Sequence, residues 1–358
     1  MRRNTMRPTS LATASVALLA LTLLAEAALP GPAEAAPDTL RVVTTVEDLA
    51  AVARDLGGDK VSVEPLVRGT RDPHFVAPTP GLMTRVNEAD LFIEMGFSLE
   101  LWAERVLDGA RNPRVRRGQP GHVYAGTGCP MLDIPPRLSR AEGEVHAEGN
   151  PHVNLDPLNL KIVAGNIAAG LQRVAPEDAA YFAERLAAFE KRIDEAFFGA
   201  ELVRLLGAKT LERLHRQGKL ISFLEGKSYK GTPLIERLGG WLGRMRPYAG
   251  TPVVTFHRTW THLTTTFGLR IVGELEPKPG IAPSAGHLTD IERIMAAQRV
   301  PVVLYEVFYD EDIVEGVCER TDAKPLLLPG YVGGVPEATD VFSMFDAICD
   351  RFDAAMKK

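Results

Sequence analysis

The sequence predicts an α/β protein of two similar lobes, each built around a mostly parallel sheet, joined by one long rigid helix. Strand-like and helix-like segments alternate in the first half of the chain, alternate again in the second half, and flank a long helix-forming stretch. Alternation of this kind favours parallel sheets, because each crossover helix returns the chain to the same edge of its sheet. The 358 residues are enough for two such lobes and too many for one ordinary small domain.

The first lobe is predicted over residues 36–175. Its strands are predicted over residues 40–45 and 61–67, where β-branched residues concentrate, with a helix over 46–56 between them. Thr79 is the predicted N-cap of the next helix, with Pro80 at its first position. The apolar run LFIEMG that follows predicts a short buried strand.

The second lobe is predicted over residues 207–358. Strands are predicted over 252–256 and 270–274, with a helix between them that ends at Gly268. Two more helix–strand pairs and an amphipathic C-terminal helix follow. Residues 176–206 are predicted to form one continuous connecting helix, since Pro176 begins a stretch rich in Ala, Leu, Glu and Arg.

Residues 1–35 are predicted to be a signal peptide rather than part of the fold. A basic start is followed by the apolar run LATASVALLALTLLA and by small residues at Ala33–Ala35 that suit cleavage. Glu26 and the prolines after it argue against a membrane span. We expect export by the general secretory route to the periplasm, without a lipid anchor, because no cysteine lies near the cleavage region.

Charge and cysteine content exclude other classes of protein. A net charge of −5 predicts no general affinity for nucleic acid. The cysteines are Cys129, Cys318 and Cys349, and no CxxC motif suggests a redox site or a thiolate zinc site. We expect them to be structural, and Cys318 and Cys349 are the pair nearer in sequence that could bridge.

Three histidines stand in settings that favour a ligand-binding role. His74 lies between prolines in GTRDPHFVAPTP, His152 follows a proline in GNPHVNLDP, and His257 ends the predicted strand 252–256. Because ligands of open α/β sheets bind beyond the carboxyl ends of the strands, His74 and His257 can face each other across a cleft between the lobes. Each histidine alone is most simply a polar side chain, but three together suit zinc, and no HExxH motif is present.

Three stretches resemble the zinc/manganese family of periplasmic solute-binding proteins that serve ABC importers (cluster A-I). They are RGTRDPHFVAPTPGLMTRVNEADLFIEMGFSLELW, NPHVNLDPLN and VVTFHRTWTHLTTTFGLRIVGE, and the resemblance covers essentially the whole mature chain. It implies that His74 and His152 are metal ligands and that His257 supplies the third, which in the family is a histidine or a carboxylate. It also implies a metal site in the cleft and a rigid central helix.

The chain departs from the family pattern at the fourth ligand. The family often places an aspartate in the loop before the last helix, but that loop here, LLLPGYVGGVPEATD, has no carboxylate at the matching place, and Asp340 is too close to the helix. Glu306 is the candidate substitute, either as a ligand or as a group that orients a histidine, and water could complete the shell instead. The acidic stretch around His146 is either a metal-gathering remnant of the family's longer His/Asp-rich loop or an ordinary acidic loop.

The expected function is capture of periplasmic Zn²⁺, as cargo, for the membrane permease of an ABC importer with its ATPase. Three imidazoles favour Zn²⁺ over Mn²⁺, which prefers carboxylate and water ligands, although Mn²⁺ stays the alternative within this class. We expect a monomer that is not an enzyme, with a periplasmic metallochaperone as a further candidate partner. The alternatives from other classes are a secreted zinc hydrolase with Glu306 as general base, and an adhesin or signalling receptor on the same fold.

Overall fold

The computed structural model describes residues 39–135, 146–278 and 280–357. The predicted signal peptide, residues 1–35, and the acidic residues Glu142 and Glu144 before His146 lie outside the described residues. Within the described ranges, no helix combines the length and the apolar character needed to cross a bilayer.

The described residues form two four-stranded sheets and a short hairpin, surrounded by helices. The strands are β1 (Leu40–Val46), β2 (Val61–Val67), β3 (Leu91–Glu94), β4 (His122–Tyr124), β5 (Ser228–Tyr229), β6 (Thr232–Pro233), β7 (Pro252–Thr255), β8 (Arg270–Glu274), β9 (Val302–Tyr305) and β10 (Lys324–Leu327). The helices are α1 (Glu47–Gly57), α2 (Pro80–Asn87), α3 (Ala103–Ala110), α4 (Pro157–Val174), α5 (Ala179–Phe198), α6 (Ala200–Leu206), α7 (Ala208–Arg216), α8 (Leu220–Glu225), α9 (Gly240–Met245), α10 (Thr261–Phe267), α11 (Ala285–Gln298), α12 (Glu311–Glu319) and α13 (Val341–Met356).

The first sheet has the strand order β2-β1-β3-β4, and all of its pairs are parallel. Val42 of the central strand β1 pairs with Val63 on one side and with Leu91 on the other. Every residue of β3 is buried, as expected of a central parallel strand covered by helices on both faces. Helix α2 begins at Pro80 after Thr79, as predicted, although the Thr79 side chain makes no capping hydrogen bond.

The second sheet repeats this arrangement with the order β10-β9-β7-β8, again entirely parallel. Strand β7 ends at Thr255, so Phe256 and His257 lie just beyond its carboxyl end. Gly268 ends α10 with a φ of 75°, the left-handed conformation that glycine adopts without steric cost. The predicted fold class, two mostly parallel α/β sheets, is therefore confirmed.

The segment predicted as one continuous helix over 176–206 is interrupted, which corrects that prediction. A 3-10 turn at Pro176–Asp178 precedes α5, and the chain leaves helical geometry at Gly199 before α6 begins. Gly199 has φ 88° and ψ 133°, and a Cβ added there would lie 2.9 Å from the Cα of Gly239. A close backbone crossing thus requires glycine at this break. The boundaries at residues 175 and 206 stay predictions.

One extended apolar core runs through both halves, and a smaller cluster lies on the outer side of each sheet. Cys349 of α13 lies in the extended core, whereas Cys318 of α12 lies in the outer cluster beside the second sheet. The two thiols are therefore unpaired, and Cys129 is also free and buried. Burial raises the pKa of Cys129 and Cys349 to about 12, so these cysteines behave as apolar core residues.

Candidate metal centre

The three histidines singled out in the sequence meet at one point. One ring nitrogen from each of His74, His152 and His257 lies within 4.8 Å of the others. Their ring centroids are 5.2 Å (His74–His152), 5.7 Å (His74–His257) and 5.8 Å (His152–His257) apart. His74 and His257, which follow strands of different sheets, therefore lie close together in the folded chain.

Each histidine reaches this point from a segment that follows or precedes regular structure. His74 lies in the loop after β2, and His257 follows β7. His152 opens a 3-10 turn at Val153–Leu155, directly before Pro157 begins α4. Because buried sheets and helices fix the ends of these loops, the loops hold their histidine side chains in defined positions.

His74 and His152 are oriented by the same local arrangement, an Asx residue followed by proline and histidine. Oδ1 of Asp72 accepts hydrogen bonds from the backbone N–H of His74 (2.9 Å) and from its Nδ1 (2.7 Å). Oδ1 of Asn150 likewise accepts from the backbone N–H of His152 (3.1 Å) and from its Nδ1 (2.9 Å). In both cases the side chain of the Asx residue closes the turn, and the proline between the Asx residue and the histidine restricts the backbone angle φ.

The third histidine is oriented by a distant residue. Nδ1 of His257 lies 2.5 Å from Oε2 of Glu276, and Oε1 of Glu276 accepts a hydrogen bond from the backbone N–H of Gly280 (2.8 Å). With Nδ1–H donated to an oxygen, a neutral imidazole carries its lone pair on Nε2, and that tautomer is the one that can coordinate a metal ion through Nε2.

The oxygens behind the histidines were missed as functional groups by sequence reasoning. Asp72 and Asn150 carried a recognisable signal, since each lies two residues before its histidine in DPH and NPH. Glu276 carried no such signal in the sequence, because it is 19 residues from His257 and contacts it only in the folded chain.

Three further hydrogen bonds hold the site loops in place. Nε1 of Trp102 donates to the carbonyl of Pro73 (2.7 Å), which anchors the His74 loop. Nδ2 of Asn150 donates to the carbonyl of Arg258 (2.8 Å), and Nε2 of His262 donates to the carbonyl of Asn150 (3.0 Å). The His152 turn is thereby tied to the segment that carries His257.

The electrostatics of the site favour a cation. Burial, followed by the neighbouring His74 and His257, holds the pKa of His152 well below its usual value, so this ring is neutral. Burial is the largest single influence on Asp72 and opposes its ionisation, but the side-chain and backbone hydrogen bonds from His74 and the charges of His74 and His257 together outweigh it, so the pKa of Asp72 is lowered. Neutral imidazoles backed by the carboxylates of Asp72 and Glu276 can coordinate a dication and balance its charge.

Glu306, the candidate fourth ligand, does not belong to the group of ligand atoms that converge. Within the described ranges, the group with mutual distances inside 4.8 Å consists of the histidines alone. Glu306 is buried, and neither carboxylate oxygen makes a well-formed hydrogen bond to a described residue. Burial raises the pKa of Glu306 to about 8, partly offset by the nearby Thr259.

His146, at the end of the acidic stretch, also lies next to the site. Its ring centroid is 5.3 Å from that of His74 and 6.4 Å from that of His152. Burial, and then the neighbouring histidines, lowers the pKa of His146 to about 3. His146 therefore lies against two of the three histidines without belonging to their converging group.

Comparison with known protein families agrees with this geometry. Residues 42–197 and 243–355 match the family described as the periplasmic component A of the zinc-uptake complex, which is most of the chain. The chain belongs to this family. The resemblance seen in the sequence is thus confirmed, and the component A family comprises substrate-binding proteins of transport systems, not enzymes. Membership decides against the secreted hydrolase considered above.

Several relatives of this component A chain are known by the metal they bind. The zinc-binding lipoprotein AdcA of Streptococcus pneumoniae (strain ATCC BAA-255 / R6) is 21% identical over 89% of this chain and 55% of its own length. The iron-binding protein YfeA of Yersinia pestis is 25% identical over 79% of this chain and 75% of its own. The chain thus spans about half the length of AdcA.

A solved ZnuA structure shares the fold of this component A chain. Its TM-score is 0.65 at 19% identity, and the match covers 89% of this chain and all of that one. Residues 198–242 fall between the two parts matched to the family. That segment contains α6, α7, α8 and the β5–β6 hairpin.

Proposed function

We propose that the protein captures Zn²⁺ between His74, His152 and His257 and delivers it to the permease of an ABC importer driven by its ATPase. The observation that carries the proposal is the convergence of three ring nitrogens within 4.8 Å of one another. Each ring donates Nδ1–H to an oxygen, which presents Nε2 to the shared space. Three nitrogen donors suit Zn²⁺, which accepts imidazole in four-coordinate sites.

The charge of the site supports a divalent cargo. Asp72 and Glu276 place two carboxylates directly behind two of the histidines. Their negative charge offsets that of a dication without occupying its coordination sphere. Manganese favours carboxylate and water ligands, so an all-imidazole set disfavours it. Mn²⁺ is the competing cargo, since relatives of similar identity are named for manganese or iron.

The fourth coordination position goes to Glu306 or to water. Glu306 is buried next to Gly330, where an added Cβ would lie 3.0 Å from its Cγ, so its side chain has little freedom. As a ligand it would give up its proton on metal binding, and as a neighbour it would hydrogen-bond a bound water. Glu306→Gln separates the two roles: direct ligation predicts a large loss of Zn²⁺ affinity, and a water-holding role a small one.

Location and partners complete the proposal. Residues 1–35 direct export, and the mature chain acts in the periplasm as a monomer, consistent with the periplasmic description of its family. The permease and its ATPase are the partners that an importer requires. A periplasmic metallochaperone is a further candidate that would load the site.

The test is a metal titration of the mature chain, purified without a His tag and stripped with chelator. We expect one tightly bound Zn²⁺ per chain, weak Mn²⁺ binding, and a large loss of Zn²⁺ affinity in His257→Ala. His287→Ala is the matched control, because His287 on α11 hydrogen-bonds the backbone carbonyl of Glu274 and does not belong to the three-histidine group. Tight Mn²⁺ binding, or wild-type affinity in His257→Ala, would contradict the proposed cargo or the third ligand.

A further inference from the structure

A second cavity lies apart from the three histidines, next to the segment 198–242 that the family does not match. Its volume is about 500 Å³, within the range of about 300–1,000 Å³ typical of small-molecule sites. Residues of α7, α8 and the turn between them form one wall, and residues of α10 form the opposite wall. Residues of the unmatched segment 198–242 and residues that match the family therefore line this cavity together.

The unmatched segment is held firmly enough to define a cavity wall. Nζ of Lys161 on α4 donates to Oε2 of Glu212 on α7 (3.1 Å) and to Oδ1 of Asp194 on α5 (2.9 Å). The ring of His215 packs edge-on against that of Phe197, with centroids 5.1 Å apart. Helix α7 is thereby fixed against α4 and α5 by an ion pair and by aromatic packing.

Most of the cavity lining is apolar. The apolar side chains that line it are contributed by both halves of the chain and by the unmatched segment: Leu132, Leu220, Ile221, Leu242 and Phe267. A hydrocarbon or aromatic group of a ligand can be buried here.

Two of the polar lining residues, Asn159 and Arg216, contact each other. Asn159 is 1% exposed, and its Nδ2 makes no hydrogen bond to any described residue. Its Oδ1 faces the guanidinium of Arg216 at 3.5 Å. A buried amide donor without an acceptor is unusual in folded proteins, and an acceptor atom of a ligand would satisfy it.

The charge of the lining selects the kind of acceptor. Two guanidinium groups, Arg216 and Arg246, and one carboxylate, Asp156, line the cavity. Glu212 pairs with Nε of Arg216 at 3.5 Å but does not line the cavity, so cationic groups outnumber carboxylates on the lining itself. Oδ1 of Asp156 already accepts a hydrogen bond from the backbone N–H of Leu158 (2.9 Å). The lining histidines, His215 and His262, add no charge near neutral pH, because burial lowers the pKa of each.

We propose that this cavity binds a small amphipathic carboxylate. The carboxylate lies between the Arg216 guanidinium and Nδ2 of Asn159, and the apolar part of the ligand packs against Ile221, Leu242 and Phe267. A guanidinium and an amide N–H are matched donors for a planar carboxylate. The site does not depend on the proposed zinc function, since none of its residues belongs to the three-histidine group.

Octanoate is the probe, titrated by calorimetry into the zinc-loaded mature chain, with octanol and octylamine as matched neutral and cationic compounds. We expect saturable binding of one octanoate per chain, with octanol at least about tenfold weaker and octylamine not bound. Arg216→Gln should weaken octanoate binding about tenfold, as expected for loss of a charge-assisted hydrogen bond. Arg213→Gln, on the same helix but outside the lining, should leave it unchanged.

Thr265→Trp provides a second variant that does not remove a charge. Thr265 lines the cavity from the exposed side of α10, so a larger side chain there occupies the cavity at little cost to the core. Octanoate binding should be lost while the circular-dichroism melting curve stays close to that of the wild type. His257→Ala should lose zinc and keep octanoate binding, which separates this site from the metal centre.

The proposal is overturned if the wild type shows no saturable octanoate binding up to millimolar concentration. It is equally overturned if octanol binds as well as octanoate, or if folded Arg216→Gln and Thr265→Trp both bind it like the wild type.

Discussion

His262 donates a hydrogen bond of 3.0 Å from Nε2 to the backbone carbonyl of Asn150, the residue whose side chain orients His152. Asn150 also donates from Nδ2 to the carbonyl of Arg258 (2.8 Å), next to His257. The orientation of one candidate ligand is therefore set by contacts with the segment that carries another. The candidate metal centre therefore depends on both halves of the chain rather than on either half alone.

Asn150→Ala should weaken Zn²⁺ binding by about 10- to 100-fold, the usual effect of removing a group that orients a metal-binding histidine. The change removes the acceptor of His152 Nδ1 and the link to Arg258 while it leaves all three imidazoles in place. Competition with a chelator of known affinity measures the loss. Asn166→Ala is the control, because Asn166 also donates to backbone carbonyls but at Ala125 and Thr127. Equal affinities in both variants would show that Asn150 does not position His152.

Glu276→Gln should weaken Zn²⁺ binding more than Asp72→Asn does. Asp72→Asn keeps an oxygen two residues before His74 and can preserve the turn, so it removes mainly charge. Glu276→Gln removes charge and can also present an amide N–H to Nδ1 of His257, which favours the wrong tautomer. Calorimetric titration of both variants, beside Glu274→Gln at the end of β8, compares the effects. The opposite order would indicate that the local turn at His74 matters more than the tautomer of His257.

Unfolding of the metal-free protein should carry a pH-dependent contribution from Glu100. Burial, and then the charge of Glu94, raises the pKa of Glu100 from 4.5 to about 7. A raised carboxyl pKa means that the folded state favours the protonated form. The contribution of protonated Glu100 to the free energy of unfolding is fully present below about pH 4.5. It is lost as the pH rises through about 7, which lowers the free energy of unfolding by about 3 kcal/mol.

Glu100→Gln should therefore flatten the dependence of the unfolding free energy on pH between about 4.5 and 7. Urea denaturation at several pH values measures this slope. Glu104→Gln is the control, because that side chain is 66% exposed. An unchanged slope in Glu100→Gln would mean that Glu100 titrates normally in the folded protein.

Asp48→Ala should destabilise the fold by about 2–4 kcal/mol, because it removes the acceptor of two buried donors. Asp48 on α1 accepts from Nδ2 of Asn154 (3.0 Å) and from the backbone N–H of Val332 (3.0 Å). It thus joins the turn after His152 to the loop before the last helix. Thermal and urea unfolding of Asp48→Ala and of its neighbour variant Glu47→Ala give the comparison. A loss no larger than that of Glu47→Ala would argue against this role.

Much of the fold was predictable because its signals are local. The strands around Val42 and Val254 are short β-branched runs, and the helix end at Gly268 is marked by a residue suited to left-handed backbone. The connecting helix was predicted too long. Its break at Gly199 depends on the close approach of Gly239, which lies 40 residues away and leaves no mark in the local pattern.

The sequence by itself determined which three histidines matter and the local turns that orient two of them. Those turns depend only on a proline and an Asx residue directly before the histidine, so they are encoded locally. Tertiary structure alone decided that Glu276 orients His257, that Cys318 and Cys349 stay apart, and that Glu306 is buried outside the three-histidine group. Those relationships depend on how the two sheets and the segment 198–242 pack together. Packing is a property of the whole core, and no short stretch of sequence encodes it.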